Sequence, residues 1–131
     1  MPIELKILAL STIVLLFYIV AATQSKTAQY GAKWNMGPRD DSVPAPSPLT
    51  GRLNRAQANF LETYPIAIIA LLGVVVANKT SATTALGGWI WLGARVVYWP
   101  LYAAGVPLVR TIVWCISIVG LAMVIWPLLV G

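Results

Sequence analysis

Arg52-Leu53-Asn54-Arg55-Ala56-Gln57-Ala58-Asn59-Phe60-Leu61-Glu62-Thr63-Tyr64-Pro65 opens an apolar run that continues to about Ala77, and its reading decides the fold. Arg55, Asn59 and Glu62 stand at i, i+4 and i+7, so a helix projects a cation, an amide and a carboxylate from one face. The apolar residues beyond them carry that helix into hydrocarbon, where charged side chains are costly and face a partner, a cavity or a ligand. This polar face is where function should be sought.

Working outward, the 131 residues are 59% hydrophobic and only 10% charged, with a mean hydropathy of +0.79. Soluble domains average about 25% charged residues, so the composition is that of a membrane protein. The length allows about four spans of ~20 residues and one substantial loop, with no room for a separate soluble domain. The apolar segments fall at about 3–23, 55–77, 83–104 and 106–130. Between the second and third lies the short polar Asn78-Lys-Thr-Ser-Ala82, and Gly105 and Pro107 mark the last connection. The chain, residues 1–131, reads as one all-α transmembrane domain: an integral membrane four-helix bundle held by packing.

The first segment ends in the small-residue patch Ala21-Ala22-Thr23, as a cleavable signal would. It is longer than a usual signal core and carries Glu4 before it, so a retained transmembrane helix is expected. Lys26, Lys33, Arg39, Arg52, Arg55 and Arg110 flank the first and third connections, against Lys6 and Lys79 on the other side. The positive-inside rule then puts the first loop, residues 24–54, in the cytoplasm and both termini outside. Cys115 is the only cysteine, read as a small buried hydrophobe with no intramolecular disulfide. With no histidine and four acids (Glu4, Asp40, Asp41 and Glu62), histidine catalysis is excluded and no metal site is expected. The net charge of +5 suits anionic ligands or lipid headgroups, and no nucleic-acid-binding module is recognisable.

The first loop is rich in glycine and proline and is not expected to be one helix. Gln24 to Trp34 can extend the first helix beyond the bilayer, Pro38-Arg39-Asp40-Asp41 reads as a turn, and Val43 to Pro48 as an extended linker. Such a loop either hangs free or folds over a site.

Three groups of residues can carry chemistry. Arg55, Asn59 and Glu62, with Arg52 and Gln57 near the helix mouth, combine carboxylate-binding geometry with an amide that both donates and accepts. The competing structural role is an interhelical salt bridge. Arg95, Tyr98 and Tyr102 share a face of the third apolar segment, where Arg95 needs a partner and Glu62 is the obvious candidate. The tyrosines could instead belong to an interfacial aromatic belt with Trp99. Arg110 follows Pro107 at a helix start, which already favours anions, and a thiol beside it would be pulled below its usual pKa of about 8.5. A snorkelling role would explain Arg110 equally well. The six tryptophans are read as helix-end anchors and lipid-facing surface.

Arg55-Ala-Gln-Ala-Asn59-Phe-Leu-Glu62 followed by Tyr64-Pro65, then Ala94-Arg95-Val-Val-Tyr98 and Tyr102, resembles the MAPEG family, the membrane-associated proteins in eicosanoid and glutathione metabolism. Residues 50 to 115 carry the resemblance best. Pro107-Leu-Val-Arg110-Thr-Ile-Val-Trp114 and Gly37-Pro-Arg-Asp40 are similar to bacterial members, which implies the bacterial inner (plasma) membrane. The resemblance implies a homotrimer with sites between neighbouring subunits near the cytoplasmic face, and glutathione as co-substrate. Arg55, Gln57, Asn59 and Glu62 would hold glutathione, joined by Arg95, Tyr98 and Tyr102, and Arg110 would be the catalytic residue that stabilises its thiolate. Two departures stand out. Thr63 replaces a tyrosine found directly after the glutamate in some members, and the basic residue at the end of the first helix has only Lys26, Lys33 and Arg39 as candidates.

The resulting expectation is a membrane-bound glutathione transferase or peroxidase, working on hydrophobic small molecules that arrive through the lipid. The alternative is a non-enzymatic lipid-binding or scaffold protein of the same fold. A small transporter subunit is a third possibility, but no broken-helix repeat supports it.

Overall fold

Prolines and capping side chains set the helix starts, and left-handed residues set the stops. In the computed structural model, which describes residues 1–131, α1 spans Ile3–Tyr30. A short α2 covers Ala32–Met36, α3 Pro48–Val76, α4 Ala82–Ala103 and α5 Pro107–Val130. The molecule is all-helical, with no strand.

Ser47 caps α3 by accepting from Thr50 N–H, with Pro48 at the first turn, where a missing N–H costs nothing. Ser81 and Thr84 close a capping box on α4. At the other ends, Asn78 (φ 57°) and Gly105 (φ 75°) take the left-handed conformation that reverses a chain after a helix. The paired bonds Lys79 N–H to Val74 O and Asn78 N–H to Val75 O end α3, and Val106 N–H to Leu101 O with Gly105 N–H to Tyr102 O end α4.

α3 supplies the centre. Ala56, Phe60, Tyr64, Ala67, Leu71 and Val74 recur every three or four residues along it and are all buried. α3 and α4 each pack against both α1 and α5, while α1 and α5 do not meet. The α4–α5 pair makes the most extensive interface. It is close because it is built on glycine: a Cβ added at Gly87 or Gly120 would come within 2.6 Å of the other residue's carbonyl oxygen.

Around this core the outer surface is apolar. Ile13, Leu16, Phe17, Ile69, Val76, Val119 and Trp126 are among the large side chains left exposed. Soluble proteins rarely expose large contiguous apolar surface, and lipid is the natural solvent for this one. α1, α3 and α5 are each long and apolar enough to cross a bilayer, with 18-residue stretches of mean hydropathy 2.4, 1.8 and 2.4. α4 has the length, at 22 residues. Its glycines, tyrosines, tryptophans and Arg95 dilute its apolar character, so it falls outside that set.

Two expectations about local structure are corrected. The first loop, 24–54, leaves only Gly31 and residues 37–47 without helix: α1 runs on to Tyr30, as the Gln24 to Trp34 extension allowed, and α3 begins at Pro48 rather than near Arg55. That segment does not hang free. Tyr30 Oη donates to Pro44 O, Gln29 Nε2 donates to Ala45 O, and Ser47 N–H donates to Gln29 Oε1. Cys115, expected to be buried, is exposed on the outer face of α5.

Candidate functional site

At the end of the molecule that carries the 37–47 segment, α3, α4 and the start of α5 enclose a concavity. Arg55, Ala58, Asn59, Glu62, Tyr98, Tyr102 and Arg110 line it, and its volume is about 230 Å³. Three helices of one chain therefore bring six of the eight sequence-predicted site residues to one place. Clefts that enclose small molecules run to roughly 300–1,000 Å³, so this one is small and open on one side.

Tyr102 organises the mouth. Arg55 Nε donates to its hydroxyl at 3.1 Å, and the Arg110 guanidinium lies over its ring, 4.6 Å from the centroid. Both arginines thus meet at one aromatic ring, and Arg110 also neighbours the Tyr98 hydroxyl. Tyr98 packs edge-on against Tyr102, 5.5 Å between centroids. Glu62 is exposed at the rim.

Arg95 and Gln57 do not line this concavity. Arg95 is 1% exposed and lies behind the wall. The expected ion pair with Glu62 is not made: Arg95 Nη1 donates to Asn59 Oδ1 at 2.8 Å, and Nη2 donates to Thr63 Oγ1 at 2.6 Å. The reason is rotation along α3. Glu62 is one residue before Thr63, about 100° round the helix, and that turn carries its carboxylate outward. The cation also lies 5.2 Å from the centroids of Phe60 and of Tyr98, and their π-faces replace part of its lost hydration. Gln57 is two residues from Arg55, about 200° round α3, which turns it away from the residues lining this concavity.

Several residues acquire roles that sequence reading missed. Tyr18 of α1 is buried and donates its hydroxyl to the Arg95 backbone oxygen at 2.5 Å, which ties α1 to α4 behind the cleft. A tyrosine inside an apolar run was the available signal. Thr63, noted only as a departure, is the second acceptor for Arg95. Tyr64 turns inward to share a hydrogen bond with Ser11 at 2.8 Å, so it does not stand in for the missing tyrosine at the cleft. Arg52 Nε donates to Ala103 O at 2.9 Å and so satisfies an orphan carbonyl at the end of α4. Of the basic candidates in the first loop, Lys33 and Arg39 line a separate concavity with Trp34 and Asp41. Arg39 stacks on Trp34 there, 4.8 Å from the ring centroid.

A family model described as "MAPEG family" matches residues 5–130, nearly the whole chain. The chain belongs to the MAPEG family. No curated protein and no solved structure matches it significantly. Membership and the apolar helices together make this an integral membrane protein. Within this MAPEG chain, the polar face on α3 is thus one wall of a cleft shared with α4 and α5.

Proposed function

We propose that this MAPEG protein is a membrane-bound glutathione transferase with peroxidase capacity, acting on hydrophobic electrophiles. One observation carries the reading: Arg55 and Arg110 converge on Tyr102 in a cleft that also holds Asn59, Glu62 and Tyr98. Glutathione has two carboxylates, an α-ammonium, two peptide groups and a thiol, and this donor set complements it. Arg55 would take a carboxylate, exposed Glu62 the ammonium, and Asn59 and the tyrosine hydroxyls the peptide groups.

Arg110 is left for the sulfur. A guanidinium beside a thiol stabilises the thiolate, the nucleophilic form. In conjugation, the thiol proton leaves to water, the sulfur lone pair forms a bond to the electrophilic carbon, and the leaving group departs with its electron pair. With a hydroperoxide, two glutathione molecules are oxidised to their disulfide while the peroxide is reduced to an alcohol and water. The protein contributes thiolate stabilisation and a meeting place for a water-soluble thiol and a lipid-dissolved partner.

The single-chain cleft is too shallow to enclose a tripeptide, so a second copy supplies the missing wall. We read the assembly as a homotrimer of four-span bundles, α4 being the fourth span, with Gln57 and Arg95 contributing from positions away from the cleft mouth. Gln57, on the other side of α3, would face the adjoining copy's cleft. Arg95 would act from behind Asn59. The basic residues around the first and third connections support a cytoplasmic side for that end and the cleft, with both termini outside; the likeness to bacterial members supports the bacterial inner membrane.

A second reading is lipid binding without chemistry. It is favoured by an all-apolar concavity of about 230 Å³ between α1 and α4, lined by Ile13, Val14, Phe17, Tyr18, Val96 and Trp99. Purified protein in detergent, given glutathione and a lipophilic electrophile, separates the two. Saturable conjugation lost in Arg110→Ala supports the transferase. No turnover with glutathione, alongside retained lipid, supports the second reading.

A further inference from the structure

Arg95 is the most buried charge in the molecule, and none of its hydrogen-bond partners is an acid. Its Nε has no partner. Such a residue is expensive inside a membrane protein, and an interhelical anchor could be made more cheaply from neutral groups. Of its two hydrogen-bond partners, Asn59 is the one that lines the cleft.

A guanidinium only donates, so Asn59 must turn its Oδ1 toward Arg95. The other end of the amide, Nδ2, has no protein acceptor, and Asn59 lines the cleft, so its N–H groups are available to a ligand there. An amide whose oxygen is bound to a cation is also polarised, which strengthens its N–H donors. Thr63 holds the guanidinium from the other side: its Oγ1 accepts from Nη2, and its own hydroxyl proton is directed to the Asn59 or Phe60 carbonyl, 3.3 Å away in each case. Phe60 and Tyr98 flank the cation at equal distances.

We infer that Arg95 is a positioning residue: it locks the Asn59 side chain so that a strengthened donor, and never an acceptor, is presented to the bound thiol peptide. This rests on the glutathione reading above. It also gives Thr63 a role, because a residue of that size leaves room for the guanidinium that a tyrosine side chain would crowd.

Asn59→Asp is the discriminating variant. Aspartate keeps an oxygen for Arg95 and adds an ion pair, so the fold is retained. It replaces the donor facing the cleft with an acceptor that repels the acceptors of glutathione. Titration calorimetry with glutathione on the full chain in detergent, beside thermal unfolding, should show an undiminished Tm and affinity weakened roughly ten- to a hundredfold. Arg95→Met frees the amide to flip and should weaken binding, whereas Arg95→Lys, which still donates to Oδ1, should restore most of it. Thr63→Val, which removes one acceptor of Arg95 and alters no residue lining the cleft, should weaken binding less than Arg95→Met.

Equal affinity in wild type and Asn59→Asp overturns the inference while leaving the glutathione reading intact. Equal losses in Arg95→Met and Arg95→Lys also overturn it, since that pattern marks direct contact or general collapse. Wild-type protein that binds no glutathione overturns the reading beneath it, and the inference with it.

Discussion

Glu62 and Arg95 show how much one residue of helical rotation decides. Residues at i+3 and i+4 both neighbour residue i on a helix, so spacing alone left Glu62 and Thr63 equally placed to meet a cation from α4. Packing turned Thr63 inward and Glu62 outward. Glu62 therefore holds nothing together within the chain, and Glu62→Gln should change stability by no more than about 0.5 kcal/mol while weakening glutathione binding. Chemical unfolding and calorimetry on the same sample check both halves. If Glu62→Gln instead unfolds the protein, the residue is structural. Tyr64→Phe is the converse case. It removes the bond to buried Ser11 and should cost about 1 kcal/mol of stability. Its turnover with glutathione should match wild type, because Tyr64 points away from the cleft.

At the scale of the element, much of the fold was legible because its signals are local. Pro107, Asn78 and Gly105 punctuate the helices by backbone geometry that needs no tertiary partner, whereas Pro48, read as the end of an extended linker, starts α3. The extension of α1 was legible in Gln24 to Trp34, but the stapling of residues 37–47 was not, since Gln29 and Tyr30 reach partners 14 to 18 residues away. The membership of the cleft was half legible: helical faces grouped Arg55 with Asn59 and Tyr98 with Tyr102. That Arg95 backs the wall, and that Tyr18 supports it, depends on how α1, α3 and α4 rotate against each other. The α4–α5 interface offers a direct test of packing. Gly120→Ala places a methyl 2.6 Å from the Gly87 oxygen and 2.7 Å from Trp91 N, atoms of backbone that cannot rotate away. It should lower stability by about 1–3 kcal/mol, read as a fall in Tm in detergent. Gly93→Ala, which meets nothing within 4 Å, is the matched control.

For the whole molecule, the open cleft and the apolar exterior pull in the same direction. A chain whose outer surface is largely apolar lives in lipid, and the cleft, enclosed by three helices, is open on one side where the proposed neighbour would close it. The trimer we propose should appear as a single species of three chains by native mass spectrometry from detergent. Glutathione should raise its thermal stability, by linkage, as its concentration exceeds Kd. A monomer that binds glutathione with full affinity would remove the need for the second wall.

The central claim is that Arg110 holds a glutathione thiolate at neutral pH. The most direct measurement is the ultraviolet difference absorbance of the thiolate as glutathione is titrated into the purified protein. The account predicts a saturating signal at pH 7 in the wild type, absent in Arg110→Ala, with turnover in that variant down roughly 100- to 1,000-fold. A wild type with no thiolate signal, or an Arg110→Ala variant with the full signal, would contradict it.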